Sequence, residues 1–279
     1  MSERVKERFR HEVYRFSLGR VKCINQHRCE IHPLLTKHFT ITSVYDSIAI
    51  KHRSMAILSF KLSESLYIRD PQETELGRNI IQKSIKMIDK LGLEDFTFRK
   101  LATEIGSTEA SVYRYFDNKH KLLIYLIDWY WTWLEHQVEF HTNNIKDPTE
   151  RLRICLTKLS EQNSFDPEVA YLDERALQRI VSAEFEKTYL TKQVDADNKE
   201  GLFLPYKSLC KKVAALVLAV NPNFEFPHAL VSTIMLAIKH QLYYAQHLPS
   251  LTDIKYDPKS HYLKLNRFLD LIVFKTISK

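Results

Sequence analysis

Two short helical patterns separated by a glycine constrain the fold of this chain most strongly. The first begins at a capping Thr97 and is ended by Gly106. The second begins at Ser107 or Thr108 and runs through Tyr115. The apolar positions that face inward in this arrangement are Phe98, Leu101, Ala102, Ile105, Val112 and Phe116. Because the connecting turn is so short, we expect the two helices to pack together as a helix-turn-helix unit.

Longer helices are predicted on both sides of this pair. The run from Asp70 to Glu73 has the pattern of a capping box, so we expect the first helix to start there and to end at Gly92. Its apolar stripe consists of Ile81, Ile85, Ile88 and Leu91. Asn118 then caps a long fourth helix, which continues into the second half of the chain.

From His141 onward the chain is predicted to be helical throughout. The expected helices are at 147–162, 175–188, 204–220, 226–247 and 259–275, with a charged linker at 195–200. No segment alternates long enough to build a sheet. The sequence therefore predicts an all-α protein, with a three-helix helix-turn-helix domain at 70–128 and a larger helical domain at 129–279.

Positive charge is concentrated before Met55. Residues 1–54 contain 11 Lys and Arg against 5 Asp and Glu, whereas the remaining residues contain 30 against 29. The net charge of +7 is therefore weak support for nucleic-acid binding by the helical part. Two interpretations of residues 1–54 stay open. They form a basic arm that adds phosphate contacts, or an extension that is disordered or lies upstream of the true start at Met55.

The histidines and cysteines of this first segment do not form a metal-binding pattern. Cys23, His27, Cys29, His32 and His38 have a spacing that matches no zinc site. We therefore expect neither a metal nor a cofactor.

Other function classes are disfavoured by what the sequence lacks. It contains no glycine-rich phosphate loop, no nucleophile–histidine–acid spacing and no H-E-x-x-H pattern, so we do not expect an enzyme. No apolar run is long enough to span a bilayer, and basic residues interrupt the N-terminal segment where a signal peptide would be apolar. We expect a cytoplasmic protein that does not contact a membrane.

Several motifs occur in the order found in one family of regulators. They are Leu91-Gly92 at the end of the first helix, Arg99-Lys100-Leu101-Ala102, Gly106, Ser111-Val112-Tyr113, Tyr115-Phe116, Asn118-Lys119 and Leu122-Leu123. With these motifs, residues 78–128 closely resemble the N-terminal domain of the TetR/AcrR family, over about a fifth of the chain. The resemblance implies a transcriptional regulator whose larger helical domain binds a ligand and forms the dimer.

The DNA-binding residues are predicted from this arrangement. Helix N-termini attract phosphate, so Thr97 is expected close to the DNA backbone. The resemblance implies phosphate contacts from Tyr113 and Lys119 as well. On the third helix, Arg114 could pair with guanine and Glu109 could accept from a cytosine amino group. The complete predicted set is Thr97, Arg99, Lys100, Ser107, Thr108, Glu109, Ala110, Ser111, Tyr113, Arg114, Tyr115 and Lys119.

Two further sites are predicted in the larger helical domain. All 3 Trp lie within 129–133, and this block either packs as a core at the domain junction or lines an effector pocket through Tyr130 and Trp133. The helices at 226–247 and 259–275 are rich in apolar residues and suit a four-helix dimer interface, as the resemblance also implies. The predicted dimer residues are Leu230, Ile234, Ile238, Leu242, Phe268 and Ile272.

The sequence thus predicts a ligand-responsive homodimeric repressor that binds double-stranded DNA and a small apolar effector. Its two recognition helices would lie about 34–36 Å apart, one DNA turn, on a near-palindromic operator. The alternative is a protein that keeps this helical fold and binds a lipid or small molecule without binding DNA. Salt-dependent affinity for a DNA duplex separates the two.

Overall fold

The chain divides into two units, Met1–Met55 and Ala56–Lys279. The computed structural model describes residues 23–25, 28–29, 60–161, 172–255 and 263–278. In the first unit, these are two short antiparallel strands, β1 (Cys23–Asn25) and β2 (Arg28–Cys29). Strands of three and two residues are too short to show an alternating pattern, so the sequence did not predict them. Cys23 and Cys29 lie in these strands, but the histidines considered for a zinc site, and most of residues 1–54, lie outside the described residues.

Ten α-helices form most of the described part of the second unit, which confirms the predicted all-α class. They are α1 (Glu75–Asp95), α2 (Phe98–Glu104), α3 (Glu109–Tyr113), α4 (Lys119–Thr142), α5 (Pro148–Ser160), α6 (Glu174–Tyr189), α7 (Val194–Lys199), α8 (Leu204–Val220), α9 (Pro227–His247) and α10 (Leu263–Ile277). Single 3-10 turns lie at Glu64–Leu66 and Pro249–Leu251. The predicted start of the last helix, at 259–262, lies outside the described residues.

Local capping fixes the helix-turn-helix unit as the sequence predicts. Thr97 accepts a hydrogen bond from the backbone N–H of Lys100, and Asn118 accepts one from that of Lys121, so both side chains satisfy free donors at a helix start. Of the two alternatives for the third helix, the structure selects Thr108 as the cap.

The predicted start of the first helix was wrong. Thr74 caps α1 by accepting from the N–H of Gly77, whereas Asp70 accepts from the N–H of Gln72 in a separate turn. The helix therefore begins four residues later than predicted. The predicted stop at Gly92 is confirmed, because Gly92 has a left-handed φ of 76° that interrupts the helix, and a short second helical run follows it to Asp95.

The central helix of the second unit is α4. It packs against α5, α6 and α8, and every side chain from residue 122 to residue 131 is buried. In turn, α8 packs against α5 and α9, and α10 packs against α5. Because α4 leaves the helix-turn-helix unit and runs into the middle of the remaining helices, it joins the two parts covalently and through its packing.

The predicted charged linker at 195–200 was also wrong, because most of it forms the short helix α7. Its Asp197 is buried, and the Asp197 carboxylate lies 3.1 Å from the Nε2 atom of His120 on α4. Val194 packs against the hydrophobic core. Tertiary contacts thus give helical structure to a segment whose composition alone is typical of a loop.

Residues 60–74, which we call the strap, pack along α4 and reach the helix-turn-helix unit. The ring of Phe60 lies 5.3 Å from that of Trp129, measured between centroids, and the ring of Tyr67 lies 6.1 Å from that of Tyr125. The buried side chains of the strap include Leu62 and Leu66. These contacts place ordered structure upstream of the first predicted helix.

Candidate nucleic-acid interface

The outer surface of the helix-turn-helix unit is formed by α3 and the turn before it. The predicted DNA-binding residues that are exposed there are Thr108, Glu109, Ala110, Tyr113 and Arg114, while Ser107 is half-buried. The ring of Tyr113 also packs edge-on against Phe98, with 5.0 Å between centroids. This contact leaves the hydroxyl end of Tyr113 at the surface, since the residue is exposed overall.

Two predicted DNA-binding residues of this region are in the core instead. Ser111 is buried, and its hydroxyl is 2.8 Å from that of Thr108. Tyr115 is only 4% exposed, and its hydroxyl is 2.8 Å from that of Thr74. Neither side chain is available to a DNA groove in this structure. The sequence pattern of a five-residue helix could not show which of its polar residues turn inward.

Arg69 of the strap lies above the buried Tyr115. The guanidinium carbon of Arg69 is 5.8 Å from the centroid of the Tyr115 ring, and Arg69 itself is exposed. The backbone N–H of Ile68 donates to the carbonyl of Tyr115 at 2.9 Å, so this part of the strap is held against the chain just after α3. Arg69 was not among the predicted residues, because no helical pattern connects it to the motif.

Lys119 was predicted to contact phosphate, but here it closes the end of α1. Its Nζ atom donates to the backbone carbonyls of Leu93, Glu94 and Phe96, at 2.9, 3.2 and 3.4 Å. These acceptors belong to the last turn of α1 and its C-cap, where carbonyls lack intrahelical partners. In this conformation Lys119 fixes α4 against α1, and it does not extend towards solvent as a free cation.

The remaining predicted residues lie on α2. Thr97 is committed to capping, and the Lys100 ammonium donates to the carbonyl of Asp95 at 2.7 Å. Arg99 is exposed, and its guanidinium has no partner among the described residues. On the elements next to α3, the cations whose side chains make no hydrogen bond or ion pair with the described residues are therefore Arg99 on α2 and Arg69 on the strap.

Polar contacts join the helix-turn-helix unit to the helices that follow. Arg179 of α6 donates two hydrogen bonds to the carboxylate of Asp89 on α1, at 2.8 and 2.7 Å. The backbone N–H of Leu93 donates to the carboxylate of the buried Glu184 at 3.0 Å. On the other side, Lys121 of α4 pairs with Glu200 at 2.6 Å, next to α7. A shift of α6 or α7 would therefore act directly on α1 and on the first turn of α4.

The two residues predicted to line an effector pocket are core residues of α4. Tyr130 and Trp133 are both buried, with 5.8 Å between their ring centroids. Burial raises the pKa of the Tyr130 hydroxyl, which is hydrogen-bonded to Gln178. Their positions agree with the other interpretation of this block, in which the aromatic residues pack as a core at the domain junction.

The predicted dimer residues divide into two groups. Ile234, Ile238 and Leu242 of α9 are buried in the core of the single chain, so they present no surface to a second copy. Leu230 and Ile272 are half-buried, and Phe268 is 38% exposed. The outward apolar side chains of α9 and α10 are instead Leu236, Tyr243, Leu263, Phe268 and Leu271.

The helix-turn-helix unit matches the model of a known protein family. Residues 80–126, covering most of α1, all of α2 and α3 and the start of α4, match the model of a family described as bacterial regulatory proteins, tetR family. The unit is therefore similar to the conserved N-terminal domain of that family, as the sequence motifs predict. No curated protein matches the sequence.

Several solved structures are similar in fold. A protein solved in work on the control of antibiotic production by bacterial hormones is 15% identical, with a TM-score of 0.50 over 73% of this chain and 98% of that one. The TetR family regulator PfmR from Thermus thermophilus is 15% identical, with a TM-score of 0.49 over 72% and 96%. AibR, solved with isovaleryl coenzyme A and operator DNA, is 17% identical, with a TM-score of 0.48 over 71% and 97%.

None of the helices within the described residues combines the length and apolarity that a membrane span requires.

Proposed function

We propose that this protein is a ligand-responsive homodimeric repressor that binds a near-palindromic DNA operator. The observation that carries the proposal is the exposed surface of α3, which lies in a TetR-type domain and is flanked by the unpaired cations Arg69 and Arg99. A short exposed helix of this kind enters the major groove, while its neighbours contact the phosphate backbone.

In the proposed complex, α3 reads the bases and the flanking cations contact phosphate. Arg114 is the side chain of α3 suited to guanine, and Glu109 is the one suited to the amino group of cytosine. Tyr113 and the start of α2 contact the backbone, where free N–H groups favour phosphate. Lys119 acts indirectly, by holding α4 against α1 through its three carbonyl contacts.

The proposed dimer forms through α9 and α10. The outward apolar side chains of these helices recur at helical spacing, with Leu236 and Tyr243 seven residues apart on α9 and Phe268 and Leu271 three apart on α10. A second copy of this chain is the partner that a two-fold DNA site requires. We therefore move the dimer surface from the buried residues of α9 to this outward set.

A charge-removal experiment tests the DNA-binding claim. Replacing Arg69 and Arg99 together by Ala should weaken binding to a mixed-sequence duplex of about 30 base pairs. It should also reduce the slope of log Kd against log salt by about 3.6, because the dimer loses four phosphate contacts and each contributes about 0.9. Fluorescence anisotropy of a labelled duplex, titrated at several salt concentrations, measures both quantities.

The matched control replaces Lys146 and Lys211 by Ala. These residues are exposed, one in the loop before α5 and the other on α8, and carry the same total charge. An equal loss of slope in the control would show that bulk charge, and not the surface around α3, binds the duplex. A wild-type protein without salt-dependent binding would favour the alternative function, a helical protein that binds a lipid or small molecule only.

A further inference from the structure

In the helices proposed to bind the effector, Asp128 has a buried carboxyl group that lacks hydrogen-bond partners. Asp128 lies in the middle of α4 and is 0% exposed. Neither of its carboxyl oxygens has a hydrogen-bond partner among the described residues. Burying a carboxyl group without a partner is costly, and native proteins rarely keep one without a reason. Because Asp128 lies in the domain proposed to sense a ligand, we infer that ligand binding is the reason.

An aromatic cluster lies beside this carboxyl group, and we call it the cage. Its members come from α4, α6, α8 and the connection before α8, and they are Trp131, Phe185, Tyr189, Phe203 and Tyr206. The centroids of their neighbouring rings are 4.5–5.2 Å apart. Trp131 is three residues after Asp128, so the two side chains share one face of α4.

The carboxyl group and the cage interact electrostatically. The Trp131 indole N–H donates to the hydroxyl of Tyr189 at 2.9 Å, which holds these two rings together. Burial, and secondly the charge of Asp128, raise the pKa of Tyr189. The acid is therefore close enough to the cage for its charge to act on Tyr189.

Ring faces next to one carboxylate are the chemistry that recognises an organic cation. The negative face of each ring attracts positive charge, most strongly where water is excluded. A bound cation would also favour release of the proton from Asp128, and the resulting carboxylate would supply the balancing charge. The cage already shows this affinity at its edge, where the ammonium of Lys239 lies 4.2 Å from the centroid of the Phe185 ring. We propose that Asp128 and the cage form the effector site and that the effector is an apolar organic cation. This inference rests on the proposed function and deepens it.

The wall of the cage that can open is the connection between α6 and α8. Tyr189 is the last residue of α6 and Tyr206 is the third of α8, and both are half-buried. The chain between them carries α7, which is bound to the first turn of α4 through Asp197 and His120. A ligand that displaces this connection would therefore pull on the turn that directly follows the recognition helix.

The test compares a cation with its neutral isostere. Benzyltrimethylammonium and neopentylbenzene have the same shape and differ in charge, and Trp131 provides a fluorescence signal inside the cage. We expect the cation to bind at least about tenfold more tightly than the neutral compound. Asp128→Asn should remove this preference, whereas Asp253→Asn, which changes an exposed acid of the same domain, should keep it.

A second variant guards against misfolding of the first. Tyr206→Leu removes one half-buried wall of the cage and should weaken binding of the cation by at least about threefold while leaving that of the neutral compound nearly unchanged. Equal binding of both compounds, binding of neither, or a cation preference that survives both variants would overturn the inference. DNA binding is measured separately, so these outcomes leave the proposed regulator intact, and a protein that binds the cation but no duplex would contradict only the DNA-binding proposal.

Discussion

Replacing Gly77 by Ala is expected to lower the free energy of unfolding by on the order of 3 kcal/mol. Gly77 lies in the first turn of α1, directly against the backbone of the strap. A Cβ atom at this position would lie 2.4 Å from the carbonyl oxygen of Pro71 and 2.6 Å from its Cα atom. Neither contact can be relieved by a side-chain rotation, so α1 and the strap must move apart. Urea unfolding followed by circular dichroism measures the change.

The control for this prediction is Gly106→Ala in the turn of the helix-turn-helix. Gly106 has a φ of 63°, but a Cβ atom there would meet nothing within 4 Å. Its replacement should therefore involve only the conformational cost of a left-handed residue, about 1 kcal/mol. If Gly77→Ala destabilises the protein no more than Gly106→Ala does, the strap is not packed against α1 as described.

The stability of the protein is expected to fall as the pH rises, because of Asp128. Burial raises the pKa of this carboxyl group from its ordinary 3.8 to about 8. The folded state therefore keeps a proton that the unfolded state has already released. The stabilisation is complete below about pH 4 and is lost as the pH rises to about 8, a total on the order of 5 kcal/mol.

Asp128→Asn should remove this pH dependence, because the amide has nearly the same shape and does not titrate. The variant should be more stable than the wild type by a few kcal/mol near pH 7, and the difference should shrink as the pH is lowered. Urea unfolding at several pH values between about 5 and 8 measures it, with Asp253→Asn as the control. A difference between variant and wild type that does not change with pH would contradict the buried, protonated Asp128.

Local chemistry made the helix-turn-helix unit predictable. Thr97, Thr108 and Asn118 each cap a helix with a hydrogen bond to a residue three positions later, and such contacts are visible in the sequence. The start of α1 was harder to predict from the sequence, because two possible capping patterns, at Asp70 and at Thr74, follow each other. Which of them is used depends on the packing of the strap onto Gly77, a contact that the helical period does not contain.

The positions of single side chains were predicted less well, for a related reason. Periodicity separates apolar from polar faces, but it does not say which neighbour covers a face. Tyr115 and Lys119 were expected to contact DNA, but Tyr115 is hydrogen-bonded to Thr74 and Lys119 to carbonyls at the end of α1. In the same way, Ile238 belongs to an apolar face that is covered by the chain itself and not by a second copy. Arg69 and Asp128 gain their importance only from tertiary neighbours.

The most direct test of the central claim is selection of bound duplexes from a random DNA pool by the full-length protein. We predict enrichment of one near-palindromic sequence, with half-sites whose centres lie about one helical turn apart. We also predict that Arg114→Ala relaxes the preference at one position of each half-site. A pool that shows no enriched sequence after repeated rounds would contradict the assignment of α3 as a DNA-recognition helix.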